Sequence, residues 1–129
     1  MAEFRPLSNP RRPTSDEDAY LQFLLSRPFE GSTKLREQLS SVKVVAECPC
    51  GCYSISLDVF RTPTNAATVR RRVPIEAIGS DTDGAPVHIL LYVVDGYLAE
   101  LALYREDGMP ISRMPSARTL ELFSLDDFA

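Results

Sequence analysis

Residues 86–104 read PVHILLYVVDGYLAELALY, two β-rich runs joined by Asp95-Gly96. Asp-Gly between apolar runs is a strong hairpin signal, because a type I′ turn needs positive φ at both central positions and these residues tolerate it. Closing the turn there sets His88, Leu90, Tyr92 and Val94 beside Leu103, Leu101, Ala99 and Tyr97. Val87, Ile89, Leu91 and Val93 then share the other face with Glu100. Both faces of this ribbon are apolar. Helices on one side of a sheet shield only one of them, so the second is expected to meet a further layer or another subunit, and a homodimer is the natural expectation.

Upstream, Val42, Val44, Ala46 and Cys48 alternate with Lys43, Val45 and Glu47, and Tyr53, Ile55, Leu57 and Val59 alternate with Ser54, Ser56 and Asp58. Period two is the pattern of a half-buried strand. A two-residue turn at Cys50-Gly51 places Val44 opposite Leu57, Ala46 opposite Ile55 and Lys43 opposite Asp58. Arg61–Thr68 is polar and carries Pro63 and Asn65, which predicts a mobile loop. The segment 69–78 alternates loosely, and Pro74 pushes it toward a sheet edge.

At the other end, Thr14-Ser-Asp-Glu17 is a capping box, and Tyr20, Leu21, Leu24 and Leu25 follow at helical spacing until Pro28. Leu35 and Leu39 mark a second, shorter helix ending near Ser40. Residues 1–13 hold Pro6, Pro10 and Pro13 among polar neighbours and read as a flexible arm; Thr119–Leu125 reads as a last strand or helical turn, and 126–129 as an acidic tail. The predicted fold is α+β: two N-terminal helices packed on an antiparallel sheet of about four to six strands built from hairpins, forming one domain over residues 14–125.

A length of 129 residues with 44% hydrophobic and 25% charged content suits one globular core. No apolar run reaches membrane-spanning length and no secretory h-region opens the chain, so a cytoplasmic protein without a membrane partner is expected. Three cysteines cannot all pair internally, which agrees with a reducing compartment. The net charge of −4 gives a nucleic-acid partner no electrostatic advantage.

Cys48-Pro-Cys50-Gly-Cys52 is the one cluster of metal-ligand type. Thiolates this close can hold zinc or Cu(I), but a closed zinc site wants four donors, and the only histidine to complete it is His88. The alternative is a plain turn in which Cys48 packs as a small hydrophobe. His88 is also the only possible histidine base, and no nucleophile is spaced beside it. Glu100, mid-strand, would need a partner or a raised pKa if buried, while the strand pairing places it on the opposite face from His88. Arg70 and Arg72 share one face of the predicted edge strand, with Arg71 on the other. Asp81-Thr-Asp83-Gly84 resembles the start of a calcium loop, but its twelfth position is Tyr92, so it reads as a turn.

The stretches RPTSDEDAYLQFLLSRPFEGSTKLREQLSSVKV (12–44) and VPIEAIGSDTDGAPVHILLYVVDGYLAELALYREDGMP (73–110) resemble a family of small uncharacterised bacterial proteins. The resemblance implies a bacterial α+β domain and brings no activity, cofactor or catalytic residue with it. With no catalytic constellation, the leading expectation is a non-enzymatic interaction module of regulatory or toxin-neutralising type. Its candidate contact residues are Tyr92, Tyr97, Glu100, Arg70 and Arg72. The second expectation is a metal-thiolate or redox protein built on Cys48, Cys50 and Cys52.

Overall fold

Thr14 starts the first helix as its sequence dictates: the hydroxyl accepts from the Glu17 N–H at 3.2 Å, and the Glu17 carboxylate accepts from the Thr14 N–H at 2.9 Å. Helix α1 (Ser15–Leu24) buries Tyr20, Leu21 and Leu24, and α2 (Ser32–Gln38) buries Leu35. These come from a computed structural model, which describes residues 4–50 and 52–124. Both helices contribute to a single core with the inner face of a seven-stranded antiparallel sheet.

The strands are β1 (Arg5–Arg11), β2 (Lys43–Glu47), β3 (Ile55–Asp58), β4 (Ile75–Ser80), β5 (Pro86–Val94), β6 (Tyr97–Arg105) and β7 (Glu121–Phe123). They lie in the order β1-β2-β3-β6-β5-β4-β7, so the sheet has seven strands where four to six were expected. The first extra strand is the segment read as an irregular arm. It pairs with β2 and is held by side chains: Arg11 bonds Glu17 at 2.8 Å and Glu47 at 3.1 Å, and Arg12 donates to the Val42 carbonyl at 2.7 Å. Its prolines are tolerated because it is an edge strand. Strand β7 follows a 3-10 turn at Ala117–Thr119 and covers the far side of β4. The predicted tail at 126–129 lies outside the described residues.

The central hairpin forms at the expected turn, with φ of 55° at Asp95 and 88° at Gly96. Val94 faces Tyr97 and Val93 faces Leu98 as expected, but the next pair is Tyr92 with Glu100. Ala99 is an extra residue, a β-bulge, and every pair beyond it moves by one. His88 therefore faces Tyr104, not Leu103, and Leu90 faces Ala102. The Val93 N–H at the bulge donates to the Arg72 carbonyl at 2.8 Å.

The shift sorts the faces. Val87, Ile89, Leu91 and Val93 now join Leu98, Leu101 and Leu103 in the buried core, while His88, Leu90, Tyr92, Glu100 and Ala102 lie half-buried on the outer face. The apolar residues of β6 thus concentrate on one side, and the outer side is mixed. The β2–β3 pair carries a second bulge: Lys43–Asp58 and Val44–Leu57 pair as expected, whereas Ala46 meets Ser56 rather than Ile55. The hairpin closes with the Cys48 N–H donating to the Ser54 carbonyl at 3.1 Å, so the connection is a longer loop and not a two-residue turn at Cys50-Gly51.

Strand β4 lies between β5 and β7 and is not an edge. It starts only after Pro74, and Arg70 and Arg72 sit in a bend ahead of it. Pro74 has no N–H for a ladder bond, so the strand begins at its far side. The 61–68 loop, read as mobile, is tied down at several points: Lys34 Nζ to the Thr64 carbonyl, Gln38 Nε2 to the Asn65 carbonyl, and the Ala67 N–H to the Gly96 carbonyl, at 2.8, 2.7 and 2.8 Å.

Candidate metal-thiolate site

The loop between β2 and β3 brings the Cys48, Cys50 and Cys52 sulfurs within 4.8 Å of one another. All three are free cysteines; Cys48 is buried, Cys52 half-buried and Cys50 exposed. Alternation along β2 turns Cys48 inward, and Pro49 starts a loop that doubles back over it. Tyr53 closes that loop in the left-handed region at φ 68°, an uncommon conformation for a residue with a side chain. Sulfurs sharing a tetrahedral zinc with bonds of about 2.3 Å stand roughly 3.8 Å apart, so the 4.8 Å spread lies within reach of one ion once Cys48 and Cys50, at 2.7 Å, move slightly apart.

The loop is anchored to the middle of the sheet. Ser54 Oγ accepts from the Leu103 N–H at 2.8 Å, lies 3.2 Å from the Leu103 carbonyl it donates to, and stands 3.3 Å from Cys52 Sγ. Crowding sets the thiol chemistry. Burial, reinforced by Cys50 and Cys52, pushes the Cys48 thiol up to about 12. Burial acts the same way on Cys52, but hydrogen bonding to Cys50 and Ser54 outweighs it and leaves that thiol below its ordinary value. Three thiolates cannot share this space without a cation, so a bound metal ion would have to displace protons as it enters.

A cleft of about 240 Å³ reaches the cluster, lined by Cys48, Tyr53 and Ser54 with Glu17 and Glu47. A larger cleft of about 660 Å³, also lined by Tyr53, contains none of the cysteines. Volume alone would favour the larger one; ligand chemistry favours the smaller.

His88, the expected fourth ligand, is not brought to the thiols. Its Nδ1 lies 2.6 Å from Glu76 and its Nε2 3.0 Å from Glu106, and its ring stacks on Tyr104 at 4.8 Å. Burial lowers its pKa, but the two carboxylates outweigh that and leave it raised. The bulge at Ala99 places Glu100 on the same sheet face as His88, contrary to the sequence pairing. Glu100 faces Tyr92, four residues from His88 along β5, a separation of roughly 13 Å, so the two do not make an acid–base pair. Burial holds the Glu100 carboxyl above its usual range, with Arg72 acting against it.

Tyr97 is engaged too, its ring under the Arg61 guanidinium at 4.4 Å and its hydroxyl 3.3 Å from the Thr62 carbonyl. Arg70 approaches Glu30 at 3.9 Å, with both side chains more than half exposed, a pair of little energetic weight.

Two polar centres carried no signal in the sequence. Gln38, 1% exposed, donates to the Asn65 and Gly96 carbonyls and accepts from the Leu98 N–H, so α2 clasps the central hairpin at its turn. Arg105 is ringed by Asp81, Asp83 and Asp107 at 3.1, 3.0 and 2.7 Å. The Asp81 carboxylate also accepts from the Thr82, Ser112 and Arg113 N–H groups. Backbone donors and Arg105 hold that carboxyl down at about 2, against a smaller effect of burial. The Asp-Thr-Asp-Gly segment is a turn, as its failure to match a calcium loop implied, and its two carboxylates also serve as ion-pair partners of Arg105. Among the described residues no helix is long and apolar enough to cross a membrane.

No curated protein and no solved structure matches the chain. A family model does match, over residues 10–115 and therefore over most of the length. By that match the chain belongs to the family described as a domain of unknown function, DUF6984.

Proposed function

We propose that this chain is a non-enzymatic metal-thiolate protein, whose β2–β3 loop holds a soft monovalent ion, Cu(I), through Cys48, Cys50 and Cys52. The observation that carries the reading is the convergence of three cysteine sulfurs within 4.8 Å. Soft thiolates select soft ions, and three of them complete the low coordination number Cu(I) accepts. Zinc wants a fourth donor, and among the described residues the ligand group consists of the three cysteines alone. Zinc would have to recruit that donor from outside the group, which ranks it second.

The test uses the reduced chain, loaded under nitrogen with Cu(I) as its acetonitrile complex, desalted, and read by elemental analysis and ultraviolet thiolate-to-copper absorption. One equivalent is expected, held at least tenfold more weakly after Cys48→Ser, Cys50→Ser or Cys52→Ser. Copper lost on desalting, or retained equally by the triple serine variant, would overturn the reading.

The interaction-module expectation draws its support from the outer sheet face, where Leu90, Tyr92 and Ala102 lie half-buried beside Glu76 and Glu100. That face is mixed in character and nothing in the structure says what covers it, so the thiol cluster is preferred.

A further inference from the structure

The three sulfurs are not equivalent. Cys48 Sγ and Cys50 Sγ stand 2.7 Å apart. That is nearer to a covalent S–S bond, about 2.05 Å, than to the roughly 3.8 Å between sulfurs on a shared zinc. Cys52 lies within 4.8 Å of both and in addition contacts Ser54 Oγ at 3.3 Å, and Ser54 is itself fixed to Leu103 of β6. Exposure differs as well: Cys50 is open to solvent and Cys48 is buried directly behind it.

We infer that Cys48 and Cys50 form a redox pair, which a low-molecular-weight disulfide converts to an intramolecular disulfide while Cys52 stays a free thiol. Cys50, the exposed member, attacks one sulfur of the small disulfide. A mixed S–S bond forms, the original S–S bond breaks, and the departing thiolate takes up the proton that Cys50 has lost. Cys48 then attacks Cys50 Sγ from within contact distance, the mixed bond breaks, and the second small thiol leaves with the Cys48 proton. Two protein thiols are oxidised, and one small disulfide is reduced to two thiols.

Proximity makes the second step intramolecular, and the geometry names Cys48 as the resolving thiol. The odd cysteine count is accounted for, because the third thiol is a member of the cluster and not of the pair. The inference concerns the same sulfurs as the copper reading but requires no metal. Where an ion is bound, the reaction removes two of its three donors, so oxidation expels it.

The test uses the 129-residue chain, reduced, stripped of metal with a chelator and desalted. It is equilibrated across mixtures of reduced and oxidised glutathione, quenched by alkylation, and read by intact mass and fragment-ion mapping. The oxidised species is expected to be a single chain with one alkylated cysteine, located at Cys52. Cys52→Ser should form the same bridge with a midpoint glutathione ratio within about twofold of the parent, whereas Cys48→Ser and Cys50→Ser should stop at a glutathione adduct. Three alkylated cysteines at the oxidising end would overturn the inference. So would a bridge from Cys50 to Cys52, chains cross-linked to each other, or loss of the bridge in Cys52→Ser. A chain that binds copper yet forms no bridge sinks only this inference, and one that bridges but holds no copper sinks only the metal reading.

Discussion

Replacing Gln38 with methionine is expected to destabilise the domain by about 2–4 kcal/mol, since each buried polar group left without a partner costs about 1–3 kcal/mol. The substitution keeps the side chain's length and volume, so packing in the α2–hairpin seam changes little. Three hydrogen bonds go: Nε2 to the Asn65 carbonyl at 2.7 Å, Nε2 to the Gly96 carbonyl at 2.9 Å, and the Leu98 N–H to Oε1 at 3.0 Å. Their costs differ. The Gly96 carbonyl keeps the Ala67 N–H at 2.8 Å, so it is not orphaned. The buried Leu98 N–H, at about 1–3 kcal/mol, and the half-buried Asn65 carbonyl, at about 1 kcal/mol, lose their partners and together set the estimate.

For a chain of this size each kcal/mol corresponds to about 4 °C, so the melting temperature should fall by roughly 8–16 °C. Urea unfolding followed by circular dichroism supplies the check, with the midpoint moving and the slope unchanged. Gln38→Glu separates the two halves of the clasp: it can still accept from Leu98 but aims a carboxylate at two carbonyls, so it should recover stability on acidification. A loss under about 0.5 kcal/mol in Gln38→Met would refute the view that α2 holds the hairpin through this side chain.

His88→Gln should reveal a pH-dependent contribution. Because its two carboxylate partners raise the folded-state pKa, the stabilisation is fully present below the ordinary imidazole value and is lost as pH rises through the folded value. The difference between parent and variant, under about 1 kcal/mol given the exposure of Glu106, should therefore shrink between pH 6 and 9 in urea titrations. A difference that grows over that range would contradict the sign. Gly96→Ala and Gly108→Ala form a matched pair, since both glycines have positive φ, 88° and 79°. A Cβ at Gly96 would sit 2.5 Å from the Ala67 carbonyl oxygen, whereas one at Gly108 meets nothing within 4 Å. Calorimetry should show about 1 kcal/mol lost at Gly108 from backbone strain alone and at least twice that at Gly96; equal losses would remove the steric argument.

Much of the fold was legible where a residue's own backbone preference decides the outcome. Thr14 and Glu17 announced the first helix, and Asp95-Gly96 the central turn, because capping and positive φ are local requirements. The register beyond the turn failed at Ala99, although a trace was there: the buried leucines of β6 fall at 98, 101 and 103, a spacing of three and then two where an unbroken strand gives two and two. Strand β1 left no comparable trace. Its side chains are mostly exposed, and its pairing rests on backbone bonds and on the contacts of Arg11 with Glu47 and of Arg12 with Val42, which are about thirty residues or more away in sequence. At the candidate site the cysteines themselves could be read off. Their convergence could not, since the turn was placed at Cys50-Gly51 and the loop is longer. His88 was lost as a ligand for a similar reason: adjacency to Glu76 and Glu106 is set by strand neighbours that a linear pattern does not reveal.

The extra residue at Ala99 also has a bearing on how this hairpin tolerates change. Val93–Leu98 and Tyr92–Glu100 are already successive pairs along β5, so removing Ala99 would straighten the ladder and leave Leu98, Leu101 and Leu103 inward with Glu100 outward. The stretch therefore tolerates that omission, whereas dropping Leu101 in its place and closing an unbroken ladder would set Glu100 opposite Leu91 on the inward side, so which residue is lost matters more than how many.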